Sequence, residues 1–167
     1  IFWFTHTRMQ EKEQISFEWA ARERFNTLQH HFNQVANLIQ DVQALYAASD
    51  LVQYNKFEIF ALIDLEHHDS AQALEWIPRV LDSQRSEFEQ TVQKRIPGFQ
   101  ITERLSQGRM IRAKKRPEYF PVHFMVPFQG NEKALGFDLA SNPTRLQALI
   151  KARDSGRVIA SPWLTLV

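Results

Sequence analysis

The first 77 residues contain neither glycine nor proline, whereas all five glycines and all seven prolines fall at or after Pro78. A long stretch without helix breakers, rich in Gln, Glu, Ala and Leu, has few choices other than helix. Residues 5–48 are therefore expected to form mainly one continuous helix. Within it Phe25, Leu28, Phe32, Val35, Ile39, Val42 and Tyr46 follow alternating steps of three and four, with Leu38 and Leu45 widening the stripe. This is a heptad seam of about three repeats. It serves either a stalk helix that pairs with its twin in a homodimer, or a helix that packs on its own domain. Ser49-Asp50 marks a break. Asn55 with Glu58 three residues later forms a predicted capping box for a second helix over 56–67, with Phe57, Phe60, Leu62 and Ile63 as its apolar set.

Charge divides at the same place. Residues 1–77 carry five basic and eleven acidic side chains, and residues 78–167 carry fifteen and eight, so the net charge of +1 conceals an acidic arm and a basic body. The chain has no cysteine, which excludes disulfides, thiolate nucleophiles and Cys-based metal centres. No apolar run is long enough to span a membrane. Ile1-Phe2-Trp3-Phe4 reads either as the trimmed end of a membrane helix or as an arbitrary fragment boundary.

Beyond residue 70 the pattern changes to short strands and helices. Residues 72–80 read as a strand with Pro78 near its end. Asp82 can cap a helix over 83–95, stopped by Pro97-Gly98. Residues 99–105, 109–113 and 120–127 are strand candidates, and Gln129-Gly130-Asn131 is a turn. Asn142 caps a helix with Pro143 at its first position, ending at Gly156. Residues 158–161 and 163–167 read as strand. Two long helices followed by β-α-β-β-β-α-β describe an α+β fold: a helical arm over 1–69 and a sensor-like sheet module over 70–167.

Catalytic and metal chemistry find little support. Ser161 lacks a Gly-x-Ser-x-Gly context, and no glycine-rich phosphate loop occurs. His30-His31 and His67-His68-Asp69 resemble metal clusters. Adjacent helical residues, however, point about 100° apart, and no i,i+4 His or carboxylate triad completes either pair, so no metal site is expected. Glu75 beside Trp76 suggests an acid raised by an aromatic wall, but no second carboxylate accompanies it, which favours a structural ion pair to a neighbouring Arg. The basic run Arg109, Arg112, Lys114, Lys115, Arg116 contains no interleaved aromatic, so a solvated loop is favoured over anion or lipid-headgroup contact, and nucleic acid is not an expected partner.

The order of particular segments goes further. Ala73-Leu74-Glu75-Trp76-Ile77-Pro78-Arg79-Val80, then Arg85, Phe88-Glu89 and Gly98-Phe99-Gln100-Ile101-Thr102-Glu103 resemble the CHASE domain family. So do Tyr119-Phe120-Pro121-Val122, Gly130-Asn131, Leu135-Gly136-Phe137-Asp138-Leu139, Arg145, Ala152-Arg153-Asp154-Ser155-Gly156 and Ser161-Pro162. Each segment is weak alone; in this order over 70–162 they are specific. The resemblance implies the extracytoplasmic sensor region of a membrane receptor: a bacterial histidine kinase, a diguanylate cyclase or phosphodiesterase, an adenylate cyclase, or a plant cytokinin receptor. It implies a stalk helix leading from a first membrane span, whose outer end would be Ile1–Phe4. A PAS-like module distal to the membrane and then a second one nearer to it would follow, and the chain ends at Val167 before that second module. The implied place is the periplasmic face of a bacterial inner membrane, with membrane attachment through flanking segments.

On this resemblance the chain is a sensor without a cofactor or catalytic residue of its own, and its partner is a small-molecule ligand. The alternative is a ligand-free dimerisation and spacer module, and an enzyme is a distant third. Plant members contact the adenine of cytokinin through an acidic side chain early in the helix before the Ala-Arg-x-x-Gly turn. Here Arg145 or a neighbour stands there, and a guanidinium only donates hydrogen bonds. Cytokinin is thus disfavoured, and an anionic ligand group suits Arg145 better, unless Arg145 pairs with Asp138 or another acid and binds nothing. Alternation along 119–125 would put Tyr119, His123 and Met125 on one face and Phe120 and Val122 on the other. The expected ligand-binding residues are Tyr119, His123, Arg145 and Ser161.

Overall fold

The structure, a computed structural model, describes residues 2–49, 52–68, 71–105 and 108–164, with side chains from Lys12 onward. The residues form two compact units, 1–44 and 45–167. The glycine- and proline-free stretch forms one helix, α1 (Phe2–Ala47). Of its seam, Phe25, Leu28, Phe32 and Ile39 are exposed, Val35, Val42 and Tyr46 are half-buried, and Leu38 is buried. Asp50 and the three residues after Leu164 lie outside the described residues, as does Asp69 of the second histidine cluster.

The second helix, α2 (Tyr54–Leu65), starts earlier than its expected capping box. Gln53 occupies the N-cap without a side-chain bond, and Asn55 lies inside the first turn, where its Oδ1 accepts from the Lys56 N–H at 2.9 Å. The box fails because the helix is set by the burial of Phe57 and Ala61 rather than by its cap. Phe57 and Tyr54 meet Phe124 at ring-centroid distances of 5.7 and 5.5 Å. Ile59, Leu62 and Ile63 face outward.

The expected strand over 72–80 is two short strands, β1 (Leu74–Trp76) and β2 (Val80–Leu81). Pro78 separates them because it has no N–H to give to a ladder. Their antiparallel partners are β6 (Phe124–Val126) and β5 (Glu118–Tyr119) respectively. Leu74 faces Val126 and Trp76 faces Phe124, whereas Val80 faces Tyr119. Three residues on one side (77–79) thus oppose four on the other (120–123), a bulge of one residue that shifts the register between the two halves.

A hairpin of β3 (Thr102–Arg104) and β4 (Met110–Arg112) follows α3 (Arg85–Gln93), which ends ahead of Pro97-Gly98 as its sequence requires. Residues 136–139 join this hairpin to residues 120–122, between β5 and β6. The Thr102 N–H donates to Gly136 O at 2.9 Å and the Asp138 N–H to Thr102 O at 2.8 Å; on the other side the Val122 N–H donates to Phe137 O and the Leu139 N–H to Phe120 O. Gly136 has φ +77°, and a Cβ there would lie 2.4 Å from the Gln100 carbonyl oxygen, so only glycine lets the two backbones approach this closely. The result is an α+β, PAS-like arrangement after two helices.

One core joins α3 to the sheet: Val80, Val92, Phe99, Ile101, Ala113 and Tyr119, with Phe88, Ile96 and Leu135 at its margin. The alternation expected along 119–125 is absent. Tyr119 through Val122 and Phe124 through Val126 are all buried, so the segment is covered on both faces and side-chain parity does not sort it. The last helix, α4 (Pro143–Ser155), has the expected ends: Asn142 Oδ1 accepts from the Thr144 and Arg145 N–H groups, and Gly156 closes it at φ 64°. Residues 158–161 are extended coil without ladder partners rather than the expected strand. Local β-propensity cannot make a strand where no neighbouring edge receives it.

Candidate functional site

The sheet unit contains a cavity of about 160 Å³ lined by Tyr54, Arg95, Ile96, His123, Met125, Phe128 and Leu135. Its parts come from distant segments: the first turn of α2, the turn that ends α3, the residue before β6, β6 itself, and the loops on either side of the 3₁₀ turn Glu132–Ala134. The walls are apolar and aromatic, and two nitrogen-bearing side chains supply polarity.

Arg95 lies with its guanidinium carbon 4.4 Å from the Tyr54 ring centre and 5.4 Å from that of Phe124. One Nη2–H donates to His123 O at 3.3 Å. Loss of hydration pulls the Arg95 pKa below its ordinary value, against the nearby Tyr54 and Glu58. Among the described residues no carboxylate stands within ion-pair distance of it. His123 sits between rings, 5.3 Å from Phe88 and 4.1 Å from Phe124. Burial first, and the Arg95 charge second, lower its pKa to about 4, so the ring is neutral at pH 7. Tyr54 donates its hydroxyl proton to Glu58 Oε1 at 3.2 Å, and its pKa is raised by desolvation and by that carboxylate.

The other three expected site residues lie in three further environments. Tyr119 is fully buried in a polar network: its hydroxyl donates to Asp82 Oδ1 at 2.9 Å and accepts from the Arg116 N–H at 3.1 Å and Arg85 Nη1 at 3.2 Å. Arg85 also binds Glu89 at 3.0 Å and the carbonyls of Ala113 and Ile101, and Glu89 in turn takes Arg112 at 2.7 Å. Arg116 bridges Glu103 and the buried Asp138. This network ties α3, β3, the basic loop and the 136–139 segment together, so much of the basic run is paired. Arg145 lies with its guanidinium carbon 5.5 Å from the Phe137 ring centre. Asp138 pairs with Arg116. Arg145 is felt electrostatically by Glu75, whose carboxyl is pushed up by desolvation and pulled back by that charge; the Glu75 residue as a whole still keeps solvent contact. Ser161 is exposed, and its hydroxyl donates only to Pro162 O at 3.1 Å.

His123 is thus the one expected residue that lines the cavity; Arg95 and Tyr54 were not anticipated. Arg95 immediately before Ile96-Pro97-Gly98 was the available signal, since a helix stop places the preceding turn against the sheet it leaves. His67 is bonded through Nδ1 to Ile63 O at 2.8 Å, and no cluster of three His, Asp or Glu among the described residues is placed to hold a metal. Among the described residues no helix is long and apolar enough to cross a membrane.

Comparison with known proteins agrees with this architecture. The hybrid signal transduction histidine kinase A of Dictyostelium discoideum is 27% identical over 163 residues, covering 94% of this chain and 8% of that protein. The chain therefore spans a small part of that relative. The CHASE domain matches residues 50–167, which includes the second helix, the whole sheet and α4. With most of its length matched in this way, the chain belongs to the CHASE domain family.

Proposed function

We propose that this chain is the extracytoplasmic sensing region of a bacterial membrane receptor of the histidine kinase, diguanylate cyclase or phosphodiesterase type. It binds a small, anionic molecule and transmits occupancy through paired α1 helices. CHASE domains are non-catalytic sensor modules of signalling receptors, and that general role is this chain's. The finer reading rests on one observation. Tyr46, in the last turn of α1, stacks on Trp76 of β1 with centroids 3.4 Å apart and planes 12° from parallel. β1 pairs with β6, and Met125 of β6 lines the cavity. One strand pair and one ring stack thus connect the cavity wall to the end of α1, which supports a route by which occupancy is transmitted.

The spacer alternative calls for a fully packed interior, and a cavity lined by Arg95 and His123 argues against it. Pairing of α1 is supported by the exposed seam, in which Phe25, Leu28 and Phe32 are each more than half exposed and Ala21 continues the spacing toward the N-terminus. Phe32→Glu and Ile39→Glu should each weaken self-association in sedimentation equilibrium while far-UV circular dichroism is unchanged. Unaltered association in both variants, or unfolding of the sheet unit by either, would refute pairing through this seam.

A further inference from the structure

We infer that the cavity at the end of α3 is a monocarboxylate site, with Arg95 holding the carboxylate and the surrounding apolar walls holding the body. This builds on the sensing role and adds the place and the ligand class. The half-buried arginines Arg85 and Arg116 already have carboxylate partners, as the exposed Arg112 does. Arg95 differs. Its guanidinium carbon lies 4.4 Å from the Tyr54 ring centre and 5.4 Å from that of Phe124, and of its five N–H donors one is given to the His123 carbonyl. The donors that remain form a planar fork suited to a planar, two-oxygen acceptor, which is the shape of a carboxylate. Arg95 keeps solvent contact and has no acid within ion-pair distance among the described residues, so its free donors are open to an anion that arrives with a ligand.

The remaining lining fixes what that anion is attached to. Ile96, Met125, Phe128 and Leu135 offer no charge, so a second carboxylate would be buried against hydrocarbon at a cost. An amine would be repelled by Arg95. A cavity of about 160 Å³ compares with the roughly 150 Å³ that accommodates benzene. The ligand is accordingly a compact monocarboxylate with an aromatic or branched aliphatic body. The His123 ring, being neutral, adds a hydrogen bond without adding a charge.

The test uses the intact chain with benzoate as the probe, benzamide as its uncharged counterpart and phthalate as the dicarboxylate. Binding is read by calorimetry and by the methyl resonances of Met125 and Ile96. Benzoate should shift both methyls and bind at least about tenfold more tightly than benzamide or phthalate. Arg95→Gln should remove that preference, whereas Arg145→Gln should leave it intact. If Arg95→Gln does not fold, the comparison of benzoate with benzamide on the unmodified chain decides alone. Equal binding of the two, or no benzoate-dependent shift at Met125, overturns the assignment. A nucleobase or amino acid that binds elsewhere, with affinity unchanged in Arg95→Gln, would defeat this site while leaving the sensing role standing. If no compound in a broad small-molecule screen binds, both fail.

Discussion

Replacing Asp138 by alanine should be among the most damaging single changes in the sheet unit. Its side chain is wholly buried. Oδ1 accepts from the Phe120 N–H at 2.7 Å and the Ala140 N–H at 3.0 Å, and Oδ2 pairs with Arg116. It thereby fastens Phe120, just after β5, to the 136–139 segment, and through Arg116 to Glu103 of β3. Removing one partner of a buried ion pair costs about 3–5 kcal/mol, and an orphaned buried N–H about 1–3 kcal/mol more. The two do not simply add. Arg116 keeps Glu103 and some solvent contact, which moderates the first contribution. The expected loss for Asp138→Ala is about 4 kcal/mol against a total of roughly 5–15 kcal/mol for a domain. For a unit of this size that lowers Tm by about 10–20 °C. Asp138→Asn keeps a carbonyl oxygen for Phe120 and Ala140 while losing the charge, and should cost about half as much. Urea unfolding followed by circular dichroism measures both. A loss below about 1 kcal/mol in Asp138→Ala would mean that the network contributes nothing to stability. A double-mutant cycle with Arg116→Met should show coupling of at least about 1 kcal/mol.

Gly136→Ala should destabilise by more than about 2 kcal/mol, because the added Cβ meets a backbone carbonyl that cannot move aside. Gly98→Ala has φ +80° but no atom within 4 Å, so it should cost only about 1 kcal/mol; equal losses in the two would show that the close approach is unimportant. The His123 pKa is lowered to about 4 in the folded chain, against about 6.5 when unfolded, so the fold requires the neutral ring. Its contribution is complete above pH 6.5 and is lost as the pH falls from there toward 4, because the unfolded chain takes up the proton first. The difference in Tm between wild type and His123→Gln should therefore shrink or reverse across that window, and a constant difference would refute the assignment.

The parts legible in the sequence are those governed by neighbours along the chain. α1 follows from 77 residues without a breaker, and α4 follows from Asn142, Pro143 and Gly156, whose caps bond within the same turn. The family was legible as well, since its segments keep their order. Where a local signal competed with burial, burial prevailed: the box at Asn55 yielded to Phe57 and Ala61 packing, and residues 158–161 had no ladder to join. Tyr119 and His123 were grouped by strand parity, but the segment is covered on both faces and a one-residue bulge separates their ladders. One hydroxyl therefore entered an ion network and one imidazole reached a cavity.

The sequence by itself determined which segments are helical, where the last of them stops, and that a module of short strands follows an uninterrupted helix. Only the tertiary structure decided which of fifteen basic side chains in the second half are neutralised. It paired Arg85, Arg112 and Arg116 with Glu89, Glu103 and Asp138, and it set Arg95 against two rings beside a cavity. Helix formation and capping are settled within a few residues, so they are written in local order. Tyr54, Arg95, His123 and Leu135 are brought together by packing across 81 positions, and the charge left over depends on every other pairing having been made.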